Sequence, residues 1–157
     1  MRKRIINQGP QDVSPVNQQW LNLETLAQIE ITSEDPTHPI ESALIASTGS
    51  GWRAAQPGQQ TVRLLFDDPQ RVRRMRLVFQ ENERERTQQF VLRWSSDAGR
   101  SYREIVRQQY NFSPPDTTSE REDYTVDLDG LTTLELNIIP DISGGPACAS
   151  LNQLRLA

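Results

Sequence analysis

The sequence predicts an all-β chain, an antiparallel β-sandwich of jelly-roll type with about eight strands. Three observations carry this expectation. Apolar and polar residues alternate over short runs, the period of two expected of a strand with one buried face. Clusters of Gly, Pro, Asp, Asn and Ser punctuate those runs at regular spacing. No long stretch carries apolar residues at helical spacing, and no internal repeat is visible.

Residues 1–19, with "NQGPQDVSPVNQQ" at their centre, show no period and read as an extended N-terminal arm ahead of a single domain over residues 20–157. The first strand is expected near Leu26–Ser33, with Ala27, Ile29 and Ile31 on one side. The prolines of "EDPTHPIESAL" end it, and "HPIESAL" suits one helical turn. "ASTGSGW" is a glycine–serine loop ending on Trp52. "TVRLLF" places Val62, Leu64 and Phe66 on one face, and "DDPQR" reads as a turn. "VRRMRLVF" then points Met75, Leu77 and Phe79 inward, with Arg74, Arg76 and Val78 outward.

"QENERER" is a charged loop, and "QFVLRW" points Phe90, Leu92 and Trp94 inward. "EIVRQQYNF" alternates in either register, and "SPPDTTSERE" is a polar loop. "DYTVDL" and "LELNI" read as two strands separated by the tight-turn dipeptide Asp129-Gly130. After the loop "PDISGGPA", the stretch "SLNQLRLA" reads as the closing strand.

Composition bounds the function. The 157 residues suit one ordinary domain, with 35% hydrophobic and 24% charged residues. Mean hydropathy is −0.66, polar for a folded chain. The net charge of −4 gives no support to a nucleic-acid partner. Lys3 is the only lysine among 17 basic residues, so the cationic chemistry is almost all guanidinium. A single cysteine, Cys148, excludes an internal disulfide and a four-thiolate metal site. No run approaches the ~20 apolar residues of a membrane span, and the basic start is not followed by an apolar run of signal-peptide length. A reducing cytoplasm is the expected setting.

Catalytic constellations are sparse. His38 is the only histidine, placed between Thr37 and Pro39 with no nucleophile motif beside it, and reads as a turn residue. Asp67-Asp68 lie in the proline turn, which suits turn formation better than acid–base chemistry. "STGSG" lacks the lysine of a phosphate loop. Asn111-Phe112-Ser113 matches a glycosylation acceptor that a cytoplasmic protein would not use. No catalytic residues and no metal ligands are therefore assigned.

In "WSSDAGRSY", Asp97 is placed to accept backbone hydrogen bonds and Gly99 to supply a positive φ, a structural explanation of the turn. Ser96-Asp97-Ala98-Gly99 with Tyr102 also resembles the Ser-x-Asp-Gly-x-x-Trp hairpin of discoidin domains, with one residue inserted and Tyr in place of Trp. "HPIESAL…GW", "VRLLFDDPQRVRRMRLVF" and "LELNIIPD…ASLNQLRLA" resemble further segments of that family in order, over about residues 25–157. The resemblance implies the galactose-binding-like jelly roll, shared by coagulation-factor C domains and many carbohydrate-binding modules. It also implies ligand recognition by loops at one end of the sandwich.

The family often holds a structural calcium in the early loop with a glutamate from the closing strand. Here "ALIASTGSGW" has no carboxylate and Gln153 stands at the glutamate's position, so calcium is disfavoured, a weak site from Glu41 and backbone carbonyls being the alternative.

The densest candidate site is "RQQYNFSPP", where Arg107, Gln109 and Asn111 offer planar donors and acceptors, and Tyr110 and Phe112 offer aromatic faces. That mixture suits a carbohydrate or other small polar ligand. Trp52-Arg53 and the loop Gln80–Arg86 are further candidates. The structural alternatives are that Tyr110 and Phe112 pack in the core or at an edge, that Trp52 plugs the sandwich, and that "ENERER" is a solvated tip. Arg63, Arg74, Arg76 and Arg93 fall on outward positions, where cross-strand acids are expected to neutralise them. The expectation is a non-catalytic binding module, the alternative being a protein-interaction adaptor on the same fold.

Overall fold

The computed structural model describes residues 20–45 and 51–157. The expected N-terminal arm and residues 46–50 of the glycine–serine loop lie outside the described residues. Among the described residues, two one-turn helices, α1 (Leu23–Leu26) and α2 (Glu41–Leu44), accompany eight strands. These are β1 (Ala27–Ile31), β2 (Trp52–Pro57), β3 (Gln60–Gln80), β4 (Arg86–Ser95), β5 (Arg103–Phe112), β6 (Ser119–Ile139), β7 (Cys148–Leu151) and β8 (Gln153–Leu156).

The strand count agrees with the sequence, but the division differs. "DDPQR" and Asp129-Gly130 are not hairpin turns. Each lies inside a single strand of 21 residues. β3 and β6 pair antiparallel from Gln60↔Ile138 to Gln80↔Ser119, and the two turn-like segments face one another near the middle. There the register slips. Leu65 to Gln70 on β3 opposes only Thr133 to Leu131 on β6, whereas Val72 to Arg74 opposes the longer step from Leu128 to Thr125. Bulges of this kind bend a ribbon without ending its pairing. Gly130, at φ 76°, takes a backbone conformation that a β-carbon disfavours. The turn residues therefore make a corner where one ribbon passes from one layer to the other.

In the first layer, the first half of β3 lies between β1 and the second half of β6, with β4 and β5 beyond. In the second, the far half of β3 pairs β8 on one side and the first half of β6 on the other. β2 and β7 form a separate pair. β2 was not expected, and "SLNQLRLA" is divided at Asn152 between β7 and β8.

The alternation expected of "TVRLLF" and "VRRMRLVF" holds. Val62, Leu64, Phe66, Met75, Leu77 and Phe79 are all buried. Phe79 from the second layer meets Phe90 from the first with ring centroids 5.0 Å apart. Trp94 is only partly buried, and the Arg103 guanidinium lies over its ring. The outward arginines are neutralised as expected where the ion pairs are seen. Arg63 bridges Glu30 and Glu135 at 2.9 Å each, Arg93 reaches Glu135, and Arg76 pairs Asp123 at 2.7 Å.

The hairpin turn at Ser95–Ser101 is held by a local network that also engages Thr132 of β6, whose hydroxyl accepts from the Ala98 amide and donates to the Ser95 carbonyl, each at 2.9 Å. The Asp97 carboxylate accepts from the Ser95 and Ser101 hydroxyls and from the Ser101 amide. Those bonds, the Ser101 hydroxyl first, hold its carboxyl well below the usual carboxylate range. Gly99 has φ 86° and the preceding Ala98 φ 62°, so two successive residues turn left-handed.

β5 closes against the first half of β6 through side chains. Gln108 donates to Glu122 at 3.0 Å, and the Tyr124 hydroxyl donates to Gln108 at 2.6 Å. Next to this pair Glu120 is 2% exposed and its carboxyl oxygens accept no hydrogen bond. Burial, and then the neighbouring Glu122 carboxyl, push the Glu120 carboxyl up to about 8. The folded state therefore binds a proton that the unfolded chain releases near pH 4.5, so this group's stabilisation is complete below that pH and disappears as pH rises through 8. The urea midpoint of the native chain is expected to fall between pH 5 and pH 8.5, and Glu120→Gln to flatten that fall. Parallel declines in the two proteins would refute the assignment.

Candidate functional site

The ten-residue β4 starts beside the charged loop and ends at the Asp97 turn, so the two lie about 30 Å apart. A polar cavity lies at the loop end. It has a volume of about 350 Å³ and is lined by four segments of the chain. His38 comes from the segment before α2, and Trp52-Arg53 opens β2. Gln80, Glu81, Asn82 and Glu83 come from the end of β3 and its loop, and Cys148, Ser150 and Asn152 come from β7 and the break before β8.

Backbone pairing explains why these segments meet. The Arg53 amide donates to the His38 carbonyl at 3.1 Å, and the Asp35 amide donates to the Arg53 carbonyl at 2.8 Å. β2 is thereby tied to the His38 turn on one side and to β7 on the other, where Arg53 faces Ser150. The Asn152 amide nitrogen donates to the Val78 carbonyl at 2.8 Å, and its side chain donates to Gln80 Oε1 at 2.9 Å. Gly51, at φ 84°, lies so close to Leu151 and Asn152 that a β-carbon would meet the Leu151 carbonyl oxygen at 2.6 Å. Glycine is what permits β2 to start against that break.

The charged loop is not a free tip. Glu81 accepts from the Glu83 and Arg84 amides, at 3.0 and 3.2 Å, and from Arg86 Nε at 2.7 Å. Burial disfavours the Glu81 carboxylate, but the Arg86 guanidinium and the two amides outweigh it and lower its carboxyl below the usual range. Arg86 itself is buried. It donates to the Pro140 carbonyl at 2.8 Å and to Gln88 Oε1 at 3.0 Å, and its guanidinium stacks over Phe112 at 4.8 Å.

The polar rim is left with unused hydrogen-bonding capacity. His38 Nδ1 lies 2.9 Å from the Thr37 hydroxyl and 3.4 Å from Asp35 Oδ2. Asp35 is held ionised, its carboxyl lowered mainly by the Thr37 backbone amide. The Arg53 guanidinium is exposed and forms no ion pair among the described residues. The cavity thus presents a guanidinium, an imidazole, primary amides, a carboxylate and a hydroxyl. The one histidine and the one cysteine both border it, yet no hydrogen bond joins His38 to Cys148 or Ser150. Among the described residues no three His, Cys, Asp or Glu side chains gather around a metal position. Glu41 starts α2, and Gln153 starts β8 opposite Val78.

The residues expected to form one site separate into two places. Period-two alternation splits the run on β5. Arg107, Gln109 and Asn111 face outward, with Arg107 paired to Glu104 at 2.9 Å and Gln109 donating to Gln89 at 3.0 Å. Tyr110 is half-buried and its hydroxyl donates to the Ser119 carbonyl at 3.0 Å. Phe112 is fully buried between Arg86 and Tyr110, so it has no ring face to offer a ligand. Burial therefore takes Phe112 out of the expected aromatic pair, whereas Tyr110 keeps part of its ring exposed beside Thr87, Gln109 and Asn111. Trp52 is likewise 1% exposed, and its indole nitrogen donates to the Ser33 carbonyl at 3.1 Å. It plugs the sandwich and reaches the cavity only at its floor. Arg53 and the loop Gln80–Glu83 do share the cavity, and His38, Ser150 and Asn152 join them. Asn152 carried no sequence signal beyond lying in an expected strand.

No protein-family model matches the chain, and no curated protein matches it by sequence. Solved structures do match. A domain of Clostridium perfringens (CpGH89CBM32-5), solved in complex with GalNAc-β-1,3-galactose, superposes at a TM-score of 0.66 and 15% identity, over 88% of this chain and 99% of that one. The family 32 carbohydrate-binding module of C. perfringens NanJ, solved with galactose, gives 0.63 at 10% identity, over 87% and 96%. A structure of reduced XRCC1 bound to the DNA polymerase β catalytic domain gives 0.60 at 16% identity, over 84% and 95%. The chain therefore has the discoidin-like, galactose-binding-like jelly-roll fold expected from its sequence.

Glu81 is the residue on which the loop's shape depends. Glu81→Ala would leave the Arg86 guanidinium buried without its counter-charge, a change that costs about 3 kcal/mol when a buried pair loses one partner. Denaturant unfolding should show that loss, and Glu83→Ala on the exposed tip should leave the midpoint within about 0.5 kcal/mol of native.

Proposed function

We propose that the chain is a non-catalytic module that binds carbohydrate in the cavity between His38, Arg53, Asn82 and Asn152. The observation that carries this reading is the cavity itself. Planar, hydrogen-bonding side chains surround a concavity of about 350 Å³ on a fold whose solved neighbours hold galactose-containing sugars. A sugar exposes hydroxyl groups that each donate and accept, and a guanidinium, an imidazole and paired amides answer them in fixed directions. Rigidity favours such binding because less freedom is lost on association. The backbone ties among His38, Arg53 and Asp35, and the Glu81–Arg86 pair behind the loop, supply that rigidity.

The partners in this reading are therefore small hydroxyl-rich ligands or the ends of glycan chains. Arg53 and His38 would hold vicinal hydroxyls, Asn82 and Asn152 a third, and Glu83 would accept from a donor at the rim. The outer face of β5, with Arg107, Gln109 and Asn111, would serve as an accessory contact for a longer chain. An adaptor role is the competing reading, since the same fold occurs in XRCC1 bound to a polymerase domain.

A glycan array followed by calorimetry tests the proposal. Arg53→Ala and Asn152→Ala should each weaken binding of the best glycan by roughly tenfold or more, the equivalent of one or two lost hydrogen bonds. Tyr110→Ala should change it by less than about twofold. Binding that survives both cavity variants but fails with Tyr110→Ala would move the site to β5, and a silent array would reject the carbohydrate reading.

A further inference from the structure

Three primary amides form a relay within the proposed cavity, with Gln80 at its centre. Gln80 Oε1 accepts from Asn152 Nδ2 at 2.9 Å, and Gln80 Nε2 donates to Asn82 Oδ1 at 3.3 Å. All three residues line the cavity. Among the described residues, no other hydrogen bond reaches the side chain of Asn82 or Asn152.

The backbone on either side is held independently of these amides. Asn152 donates its main-chain amide to the Val78 carbonyl at 2.8 Å, and the Ser150 hydroxyl donates to the Gln80 carbonyl at 3.4 Å. Asn82 lies inside the turn that the Glu81 carboxylate closes by accepting the Glu83 and Arg84 amides. The Glu81 amide in turn donates to the Thr118 carbonyl at 2.8 Å. What remains free is the rotation of each planar side-chain amide, which exchanges an NH2 donor for a carbonyl acceptor.

The Gln80 amide removes that freedom. It offers one oxygen and one nitrogen in a single plane, so one asparagine has to donate to it and the other has to accept from it. Asn82 spends its oxygen and is left with its NH2. Asn152 spends an N–H and is left with its oxygen. Turning all three amides end for end would swap the two asparagines but could not make them alike. Gln80 and Asn82 are exposed, so water competes for either bond taken singly. The two bonds share one amide, however, and each polarises it in the sense that strengthens the other.

We propose that Gln80 is a positioning residue that fixes opposite hydrogen-bonding polarity at Asn82 and Asn152, and so makes this part of the cavity read a hydroxyl group. The role rests on the cavity being a carbohydrate site. A hydroxyl accepts from one asparagine and donates to the other at once. A fluorine or an ether oxygen in its place can only accept, and leaves the carbonyl of one asparagine unmet. A site built to satisfy both senses rejects such analogues more strongly than a site whose amides turn freely.

The relay is tested first without sugar, by NMR of the side-chain NH2 groups in the 15N-labelled full chain. In the native chain one of the two asparagines should carry a hydrogen-bonded proton, shifted downfield and slow to exchange with water. Gln80→Glu, whose carboxylate only accepts, should draw the second asparagine into the same state. Gln80→Met, which adds no charge, should release the first. Asparagine NH2 groups that behave alike in the native chain, or that both substitutions leave unchanged, overturn the relay.

Calorimetry with D-galactose as the probe then tests what the relay does. Gln80→Glu turns both asparagine oxygens to the sugar and should weaken binding by roughly tenfold. In an Asn82→Ala background the same substitution has no amide left to turn and should cost less than about twofold. Among the 2-, 3-, 4- and 6-deoxyfluoro analogues, one should lose at least about tenfold against the native chain and less than about threefold against Gln80→Glu. Losses that simply multiply between Gln80→Glu and Asn82→Ala overturn the positioning role. Galactose that fails to bind the native chain also overturns the hydroxyl-reading role, and because the amide spectrum is recorded without sugar, that failure of the carbohydrate reading is distinguishable from failure of the relay.

Discussion

The pairing of β3 with β6 is the constraint on which the rest depends. Two strands of 21 residues run side by side through both layers and bend together at one corner. Every other strand of the main sheet attaches to this ribbon directly or through β4. The corner also sets which half of each strand faces which, and so brings Phe79 against Phe90 across the core. Alternation runs through both halves, but on β3 the buried phase shifts by one residue at the bend, from Val62, Leu64 and Phe66 to Met75, Leu77 and Phe79, because β3 carries one net extra residue there.

Buried arginines hold the layers together in a second way. Arg155 forms no ion pair among the described residues. It donates instead to the carbonyls of Ala43, Leu154 and Ile45, at 2.7, 3.2 and 2.8 Å, tying β8 to the end of α2. Burial pulls its guanidinium below the usual arginine range, the direction expected when a cation is satisfied by dipoles rather than by an anion. Arg86 plays the matching part at the other loop, holding Glu81 and the Pro140 carbonyl. Guanidinium groups suit such positions because several fixed donors serve several backbone acceptors at once. The preference for arginine over lysine in this chain has structural consequences at these two sites.

The cavity at the loop end and an aliphatic groove between β1 and α2 are built on the two flanks of one short segment. His38 faces the first, and Glu34, Ile40 and Glu41 face the second. Rigidity in residues 34–41 therefore shapes both surfaces. The Asp35–Thr37 turn, the Glu34 bond to the Ile40 amide and the backbone bonds to Arg53 all converge there.

Local chemistry in the sequence was enough for the fold class, the one-turn helix at Glu41–Leu44, the inward faces of β3 and β4 and the Asp97 turn, because each depends on periodicity or on a side chain meeting its own neighbours. It was not enough for the corner. Asp-Pro and Asp-Gly favour a bend in any context, and only pairing with a distant partner decides whether the bend closes a hairpin or turns a ribbon. The candidate site divided in the same way. "RQQYNF" looked like one site when read along the chain, but strand geometry sends successive residues to opposite faces and buries Phe112. His38, Arg53, Asn82 and Asn152 are far apart in sequence, and pairing among β2, β7 and the end of β3 brings them around one cavity. Residue type and spacing determine which local shapes are available. Which of them share a surface is set by long-range backbone hydrogen bonding, and that is a property of the assembled layers alone.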